Sequence, residues 1–203
     1  MALAKRENDP VYTYTDYLEW DDDERLELID GAVYMMSPAP TQAHQEIIGG
    51  LYRQFADFLD GKPCKIFIAP FDVRLNVKDR DDTVLQPDLL VVCDKSKLDG
   101  KSCLGAPDLV VEIISPSTAR RDRLTKFLKY QQAGVLEYWI VDPDTKTAQV
   151  YILDDGAYMN RKSGIYSDQD IISSHVLEGL SVDMKKVFPV DEGADASVSP
   201  NIG

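Results

Sequence analysis

Two strongly apolar runs each carry one embedded carboxylate, and this pairing constrains the fold more than any other feature of the chain. In VLQPDLLVVC, residues 84–93, the acid is Asp88; in APDLVVEII, residues 106–114, it is Glu112 inside Leu109–Ile114. Both runs are rich in Val, Leu or Ile and bounded by polar, turn-like stretches, so they read as strands. A carboxylate in such a run is costly to bury unless it is paired, protonated or bound to a cation. Two such acids on adjacent strands can share one ion.

Asp108 competes for that role. It lies four residues before Glu112 on the same strand and so faces the same side. At roughly 3.3 Å per residue the two stand about 13 Å apart, too far to ligate one metal. Asp88, on a separate strand, can sit directly beside Glu112, which makes Asp88 with Glu112 the better pair. Oxygen donors of this kind suit hard divalent ions, which activate water and neutralise charge in phosphodiester hydrolysis.

Around these strands the pattern predicts a mixed α/β sheet with helices on its faces. Thr15 is a candidate cap for a short helix, DYLEW. RLELIDGAVYMM alternates apolar residues about Asp30-Gly31, the dipeptide of a tight hairpin turn. His44, Ile48, Leu51, Phe55 and Phe58 recur at helical spacing and predict a helix over about 42–59, stopped at Asp60-Gly61. KIFIAPFDVRL, residues 65–75, is a further strand. A second helix is expected over 119–133, capped by Ser117 or Thr118 and closed at Gly134. EYWIVDP and TAQVYIL add two strands joined at Pro143-Asp144, and strand signals are weaker over 156–188, with GLSVDMKKVF ending in a helical turn. Residues 1–10 are expected to be a flexible leader, 11–189 a single domain, and 190–203 a disordered tail.

A chain of 203 residues with 44% apolar content can bury one sizeable core but not two. It has no apolar run of the roughly 18–20 residues that a bilayer span needs and no secretory leader, so no membrane partner and a cytoplasmic location are expected. Cys64, Cys93 and Cys103 form no metal-binding spacing and read as buried free thiols. The net charge of −13 opposes nonspecific binding to nucleic acid. That charge is uneven: residues 119–130, ARRDRLTKFLKY, hold five cations against one Asp, whereas residues 21–24 are all acidic.

Pro87-Asp88, followed on the next strand by Glu112, resembles the signature of the PD-(D/E)XK nucleases. EIISPST at 112–118, then Asp122, Lys126 and Tyr130 at fourfold spacing, then EYWIVD at 137–142, is similar to the Uma family of restriction-endonuclease-like proteins. ELIDG at 27–31 and the helix entered through His44 match that family too. The resemblance covers roughly residues 12–188. It implies a restriction-endonuclease-like αβββαβ core with an N-terminal β-hairpin and extra C-terminal strands. It also implies a Mg2+-dependent endonuclease, with Mn2+ as a substitute, acting on DNA as a homodimer. In that reading Asp88, Glu112 and the Ile113 carbonyl hold the metal. The lysine that normally follows the Glu by two places is replaced by Ile114, and the family pattern moves it to Lys126, which orients the attacking water or the scissile phosphate.

Glu27, His44 and Tyr130 are accessory candidates. Against these readings stand an exposed strand acid for Glu27, a hydrogen-bonded core histidine for His44, and simple packing with one donated bond for Tyr130. Asp88 and Glu112 have their own structural alternative, satisfaction by backbone or by Arg74. Arg120, Arg121 and Arg123 either grip the DNA backbone or form a solvated helix start. On the second helix Leu124, Phe127 and Leu128 oppose Asp122, Lys126 and Tyr130, so an apolar stripe packed on the sheet turns Lys126 away from the metal. Ser115, Ser117 and His175 form no nucleophilic triad, and there is no Gly-rich phosphate loop. The alternative to an enzyme is a catalytically inactive nuclease fold serving as an interaction or regulatory protein.

Overall fold

Asp30 and Gly31 take the left-handed φ values of 51° and 73° that a tight two-residue turn requires. They join strand β1, Leu26–Ile29, to β2, Ala32–Met35, with Ile29 opposite Ala32. The computed structural model describes residues 10–20, 25–36, 39–116 and 118–188. The leader apart from Pro10, the acidic run at 21–24, the Ser117 cap and the 190–203 tail lie outside the described residues. Ahead of the hairpin, helix α1 spans Tyr14–Tyr17 and is capped by Thr13 rather than Thr15. The Thr13 backbone N–H and hydroxyl both donate to Asp16 Oδ2, at 2.7 and 2.8 Å. The cap sits two residues earlier than expected because Asp16 offers the reciprocal acceptor.

Helix α2 is Gln42–Leu59, with the Thr41 hydroxyl accepting from the His44 backbone N–H. It buries Ile47, Ile48, Leu51, Phe55 and Leu59, of which the spacing indicates Ile48, Leu51 and Phe55, while Phe58 is partly buried. Strand β3, Lys65–Ile68, and strand β4, Asp72–Arg74, come from the single expected strand at 65–75. Likewise β5, Val84–Leu85, and β6, Leu89–Val92, divide the run at 84–93. The breaks fall at Pro70 and Pro87, which have no N–H to give to a ladder. A short β7, Ser102–Leu104, absent from the sequence reading, pairs parallel with β4. Then come β8, Leu109–Ile113, and a helix whose first turns, Arg121–Lys126, are π-helical and continue as α3, Phe127–Ala133. Gly134 at φ 92° closes it.

The C-terminal part is β9, Glu137–Asp142; β10, Thr147–Asp154; β11, Ala157–Ser167; β12, Ile171–Ser173; and β13, Ser181–Asp183. The expected helical turn follows at Met184–Lys186. One six-stranded sheet runs β11-β10-β9-β8-β6-β3, and a five-stranded sheet runs β2-β1-β5-β4-β7. The series α2, β3, β6, β8, α3, β9 is the αβββαβ order, with β8 and β9 parallel. Side chains alternate across the central strands. Leu89, Val91, Leu109 and Val111 pack under α2, whereas Leu90, Val92 and Val110 face Tyr130, Tyr138 and the smaller sheet through Ile29, Val73 and Leu85. The core therefore has two layers with β6 and β8 between them.

Two further expectations are overturned. Cys64 and Cys93 are not free thiols but a disulfide, because the register Lys65↔Val92 extended by one residue sets them side by side. Cys103 alone is free and buried. The second helix turns its polar stripe inward: Leu124 and Leu128 are 56% and 50% exposed, while Asp122, Lys126 and Tyr130 are buried.

Two adjacent glycines on α2 test the packing. A Cβ on Gly50 would stand 2.6 Å from the Lys186 carbonyl oxygen and 2.9 Å from Val187 Cα, whereas one on Gly49 meets nothing within 4 Å. Gly50→Ala is therefore expected to lower stability by about 1–3 kcal/mol, since backbone must shift. Gly49→Ala should raise it by up to roughly 1 kcal/mol through helix propensity. Urea unfolding of the two variants measures both.

Candidate active site

β6 and β8 pair Leu90 with Val110 and Leu89 with Val111, so one further step sets Asp88 opposite Glu112. Directly opposed residues of an antiparallel pair share a face, and both acids line one cleft. Asp88 lies just ahead of β6. Its carbonyl accepts from the Ala69 N–H at 3.2 Å, and its Oδ2 accepts from the Ile113 N–H at 2.7 Å. That bond sets Ile113 beside Asp88, and Asp88, Glu112 and Ile113 line the same cleft. His44, from the first turn of α2, places Nε2 3.2 Å from Asp88 Oδ1, and its buried Nδ1 has no hydrogen-bond partner among the described residues. Arg74 takes no part; it pairs with Asp81 and Asp99.

Glu112 is 4% exposed and receives Tyr130 Oη and Lys126 Nζ on the same Oε1, each at 2.8 Å. Lys126 Nζ also lies 2.8 Å from Glu27 Oε1 and 3.6 Å from Asp122 Oδ1. Glu27 is thus no exposed strand acid: it is 0% exposed, and its Oε1 accepts from the Gln86 N–H as well. The wide π turn sets Asp122 and Lys126 on the inward side of the helix. Burial drives Glu112 well above the ordinary carboxylate range; Lys126 pulls against this, while Asp122, Asp88 and Glu27 add to it. Burial raises Asp122 too, again opposed by Lys126. Burial alone would lower Lys126, but Glu112, Glu27 and Asp122 outweigh it and hold the ammonium above its usual value. Lys126 therefore stays charged, while burial makes Glu112 hold a proton more readily than a free carboxylate does.

The three arginines separate. Arg120 is exposed. Arg121 turns toward the site, 3.6 Å from Glu27 Oε2, and donates to the Met35 carbonyl at 3.5 Å. Arg123 points elsewhere, pairing with Asp142 at 3.1 Å and with Gln149. Tyr130 is fully buried and donates its one bond to Glu112. Asp122 is the site member that the sequence reading left without a role, although its spacing of four residues from Lys126 was visible.

The donor set fits a hard divalent ion in part. No group of three or more His, Cys, Asp or Glu among the described residues is arranged to hold a metal, but Mg2+ is commonly held by one or two carboxylates with water and substrate oxygens completing its shell. Glu27, Asp88, Glu112 and Asp122 set four acids against the two cations Arg121 and Lys126, so acidic groups outnumber basic ones here. Glu27 Oε2 and Asp122 Oδ1 are buried oxygens without hydrogen bonds among the described residues. Oxygen donors with this excess charge match Mg2+ or Mn2+ rather than a soft metal. The cleft above them measures about 490 Å³ and is also walled by Ile48, Ile68 and Ile114.

An αβββαβ core with two opposed strand carboxylates and a buried lysine defines a restriction-endonuclease-like protein. The comparisons agree. The chain matches the Uma2 family, described as "Putative restriction endonuclease", over residues 14–185, and it belongs to that family. A crystal structure of a "putative nuclease belonging to DUF820" from Anabaena variabilis superposes with TM-score 0.69 at 18% identity, covering 87% of this chain and 97% of that one. An uncharacterized protein of Synechocystis is 30% identical over 154 residues, 74% of this chain and 79% of that protein.

Lys126→Met tests the cluster. Removing the ammonium leaves buried carboxylates without their cation and is expected to cost about 3–5 kcal/mol. The pH dependence has a definite sign. Carboxylates whose folded pKa is raised above the unfolded value stabilise the fold below the raised value and lose that contribution as pH climbs through it. The deficit of the variant, read by thermal unfolding in chelator, should therefore shrink toward pH 5 and grow toward pH 8.

Proposed function

We propose that the chain is a Mg2+-dependent endonuclease that hydrolyses DNA phosphodiester bonds. The observation that carries this reading is the opposition of Asp88 and Glu112 across β6 and β8, in one cleft, beside a fixed ammonium. Asp88, Glu112 and the Ile113 carbonyl are the residues that would hold the metal, whose chemistry is to polarise the phosphoryl oxygen and supply hydroxide near neutral pH.

The protein's own contribution is positional and electrostatic. Asp88 is held by the Ile113 N–H and His44, which fixes the direction of its oxygens. Lys126 is enclosed by three carboxylates and keeps its proton, so it acts as a stationary positive charge near the scissile phosphate and not as a general base. Tyr130 locks Glu112 in place. Arg25 and Arg121 line the cleft, and the exposed Arg120 stands on the same helix start as Arg121, so these are guanidinium groups that can meet backbone phosphates.

Isothermal titration with MgCl2 and MnCl2, paired with cleavage of plasmid and oligonucleotide DNA, tests the proposal. The expected result is micromolar to millimolar binding by the wild type, lost in Asp88→Ala, together with cleavage that falls at least about 100-fold in Asp88→Ala and Glu112→Ala while circular dichroism stays native. Cleavage unchanged in both variants removes the assignment. Absence of both binding and cleavage in the wild type leaves an inactive nuclease fold.

A further inference from the structure

The geometry of the cleft points to its substrate class: we infer that the DNA entering it is single-stranded, or the unpaired end of a duplex, and that the apolar wall receives the nucleotide beside the scissile phosphate. This inference rests on the nuclease reading above and adds to it which form of DNA reaches the carboxylates.

The first support is depth. Glu112 is 4% exposed and Asp122 and Lys126 are 2% exposed, so the cluster lies recessed, while Pro40, Ile68 and Pro116 stand exposed at the rim. A cavity of about 490 Å³ is the size of sites that enclose a small ligand, comparable to one or two nucleotides and not to a double helix. A rigid duplex holds its phosphates on the outside of a wide rod, whereas one flexible strand can follow the cleft inward.

The second support is charge. Proteins that track a duplex meet its closely spaced phosphates with many Lys and Arg side chains. Among the described residues lining this cleft the Lys and Arg side chains are Arg25, Arg121 and Lys126, and the last two already face Glu27, Glu112 or Asp122. With a net charge of −13 on the whole chain, a long phosphate track finds little attraction outside the cleft. The third support is the wall itself. Ile48, Ile68, Ala69 and Ile114 offer apolar surface, which favours an unpaired base with open faces over a stacked and paired one showing only its edge.

The test compares three fluorescein-labelled DNAs of one sequence: a single strand, a blunt duplex, and a duplex with forked, unpaired arms. In MgCl2 the single strand and the forked arms should be cut at least about tenfold faster than the blunt duplex, with Asp88→Ala as blank. Equal or faster cutting of the blunt duplex overturns the inference and leaves the nuclease reading standing. No cutting of any of the three in Mg2+ or Mn2+ overturns both. Binding gives an independent readout: with the wild-type protein and CaCl2 in place of MgCl2, fluorescence anisotropy should show the single strand bound at least about tenfold more tightly than the duplex. Ile68→Ser, at the rim and outside the carboxylate cluster, should weaken single-strand binding severalfold without moving the melting temperature. Undiminished binding in a folded Ile68→Ser protein overturns the role given to the apolar wall.

Discussion

The fold converges on one ammonium group. Lys126 Nζ stands within 2.8 Å of Glu27 on the N-terminal hairpin and of Glu112 on a central strand, and 3.6 Å from Asp122 on its own helix. Each carboxylate comes from a different element, so the contact ties the small sheet, the large sheet and the helix together at a single point. In a dry interior such contacts are strong only when all the partners are present, and any one left alone is costly. That requirement explains the helix orientation. Leu124 and Leu128 stay in solvent because the inward side is taken by the polar stripe, whose desolvation the cluster offsets. The site geometry is therefore a condition of folding and not a decoration on a finished scaffold.

Much of this was legible in the chain, and what was not has identifiable causes. The hairpin at Asp30-Gly31, the span of α2, and the pair Asp88 with Glu112 follow from turn chemistry, helical spacing and the cost of burying an acid. The division of two strand runs also had a local signal, since Pro70 and Pro87 lie inside them. The inward face of the second helix had none. An apolar stripe ordinarily marks the packed side, and only the placement of Glu27 on another sheet makes the polar side the buried one. For the same reason Glu27 looked like an exposed strand acid. The Cys64–Cys93 disulfide depends on strand register, which short runs of similar residues do not specify.

Glu137 shows what the embedded-acid argument needs beyond sequence. It sits in EYWIVD much as Glu112 sits in LVVEII, and it is 0% exposed. Its Oε1 accepts from Trp139 Nε1 at 2.8 Å, and its Oε2 from the Ser174 hydroxyl at 2.7 Å and the His175 and Val176 N–H groups at 2.9 Å. Those donors satisfy the carboxylate, so nothing else is required of it. Among the described residues Glu112 has no backbone donor, and it shares its lysine with two other acids. An acid inside an apolar strand is thus a question about its partner, and the answer separates a structural anchor from a chemical site.

Net charge and local charge also have to be separated. At about 0.1 M ionic strength charges farther than roughly 10 Å are largely screened, so most of the −13 has little influence at the base of the cleft. What a phosphate meets there is the local excess of Glu27, Asp88, Glu112 and Asp122 over Arg121 and Lys126. That excess, on the proposed reading, repels a phosphodiester until a divalent ion offsets it, and the fixed ammonium then faces the substrate. On the proposed reading, metal and nucleic acid are therefore linked ligands: each is held better when the other is present, and a phosphate entering alone finds the cleft closed by charge. An acidic protein can act on a polyanion under these conditions because the attraction it needs is confined to the few ångströms around Asp88 and Glu112.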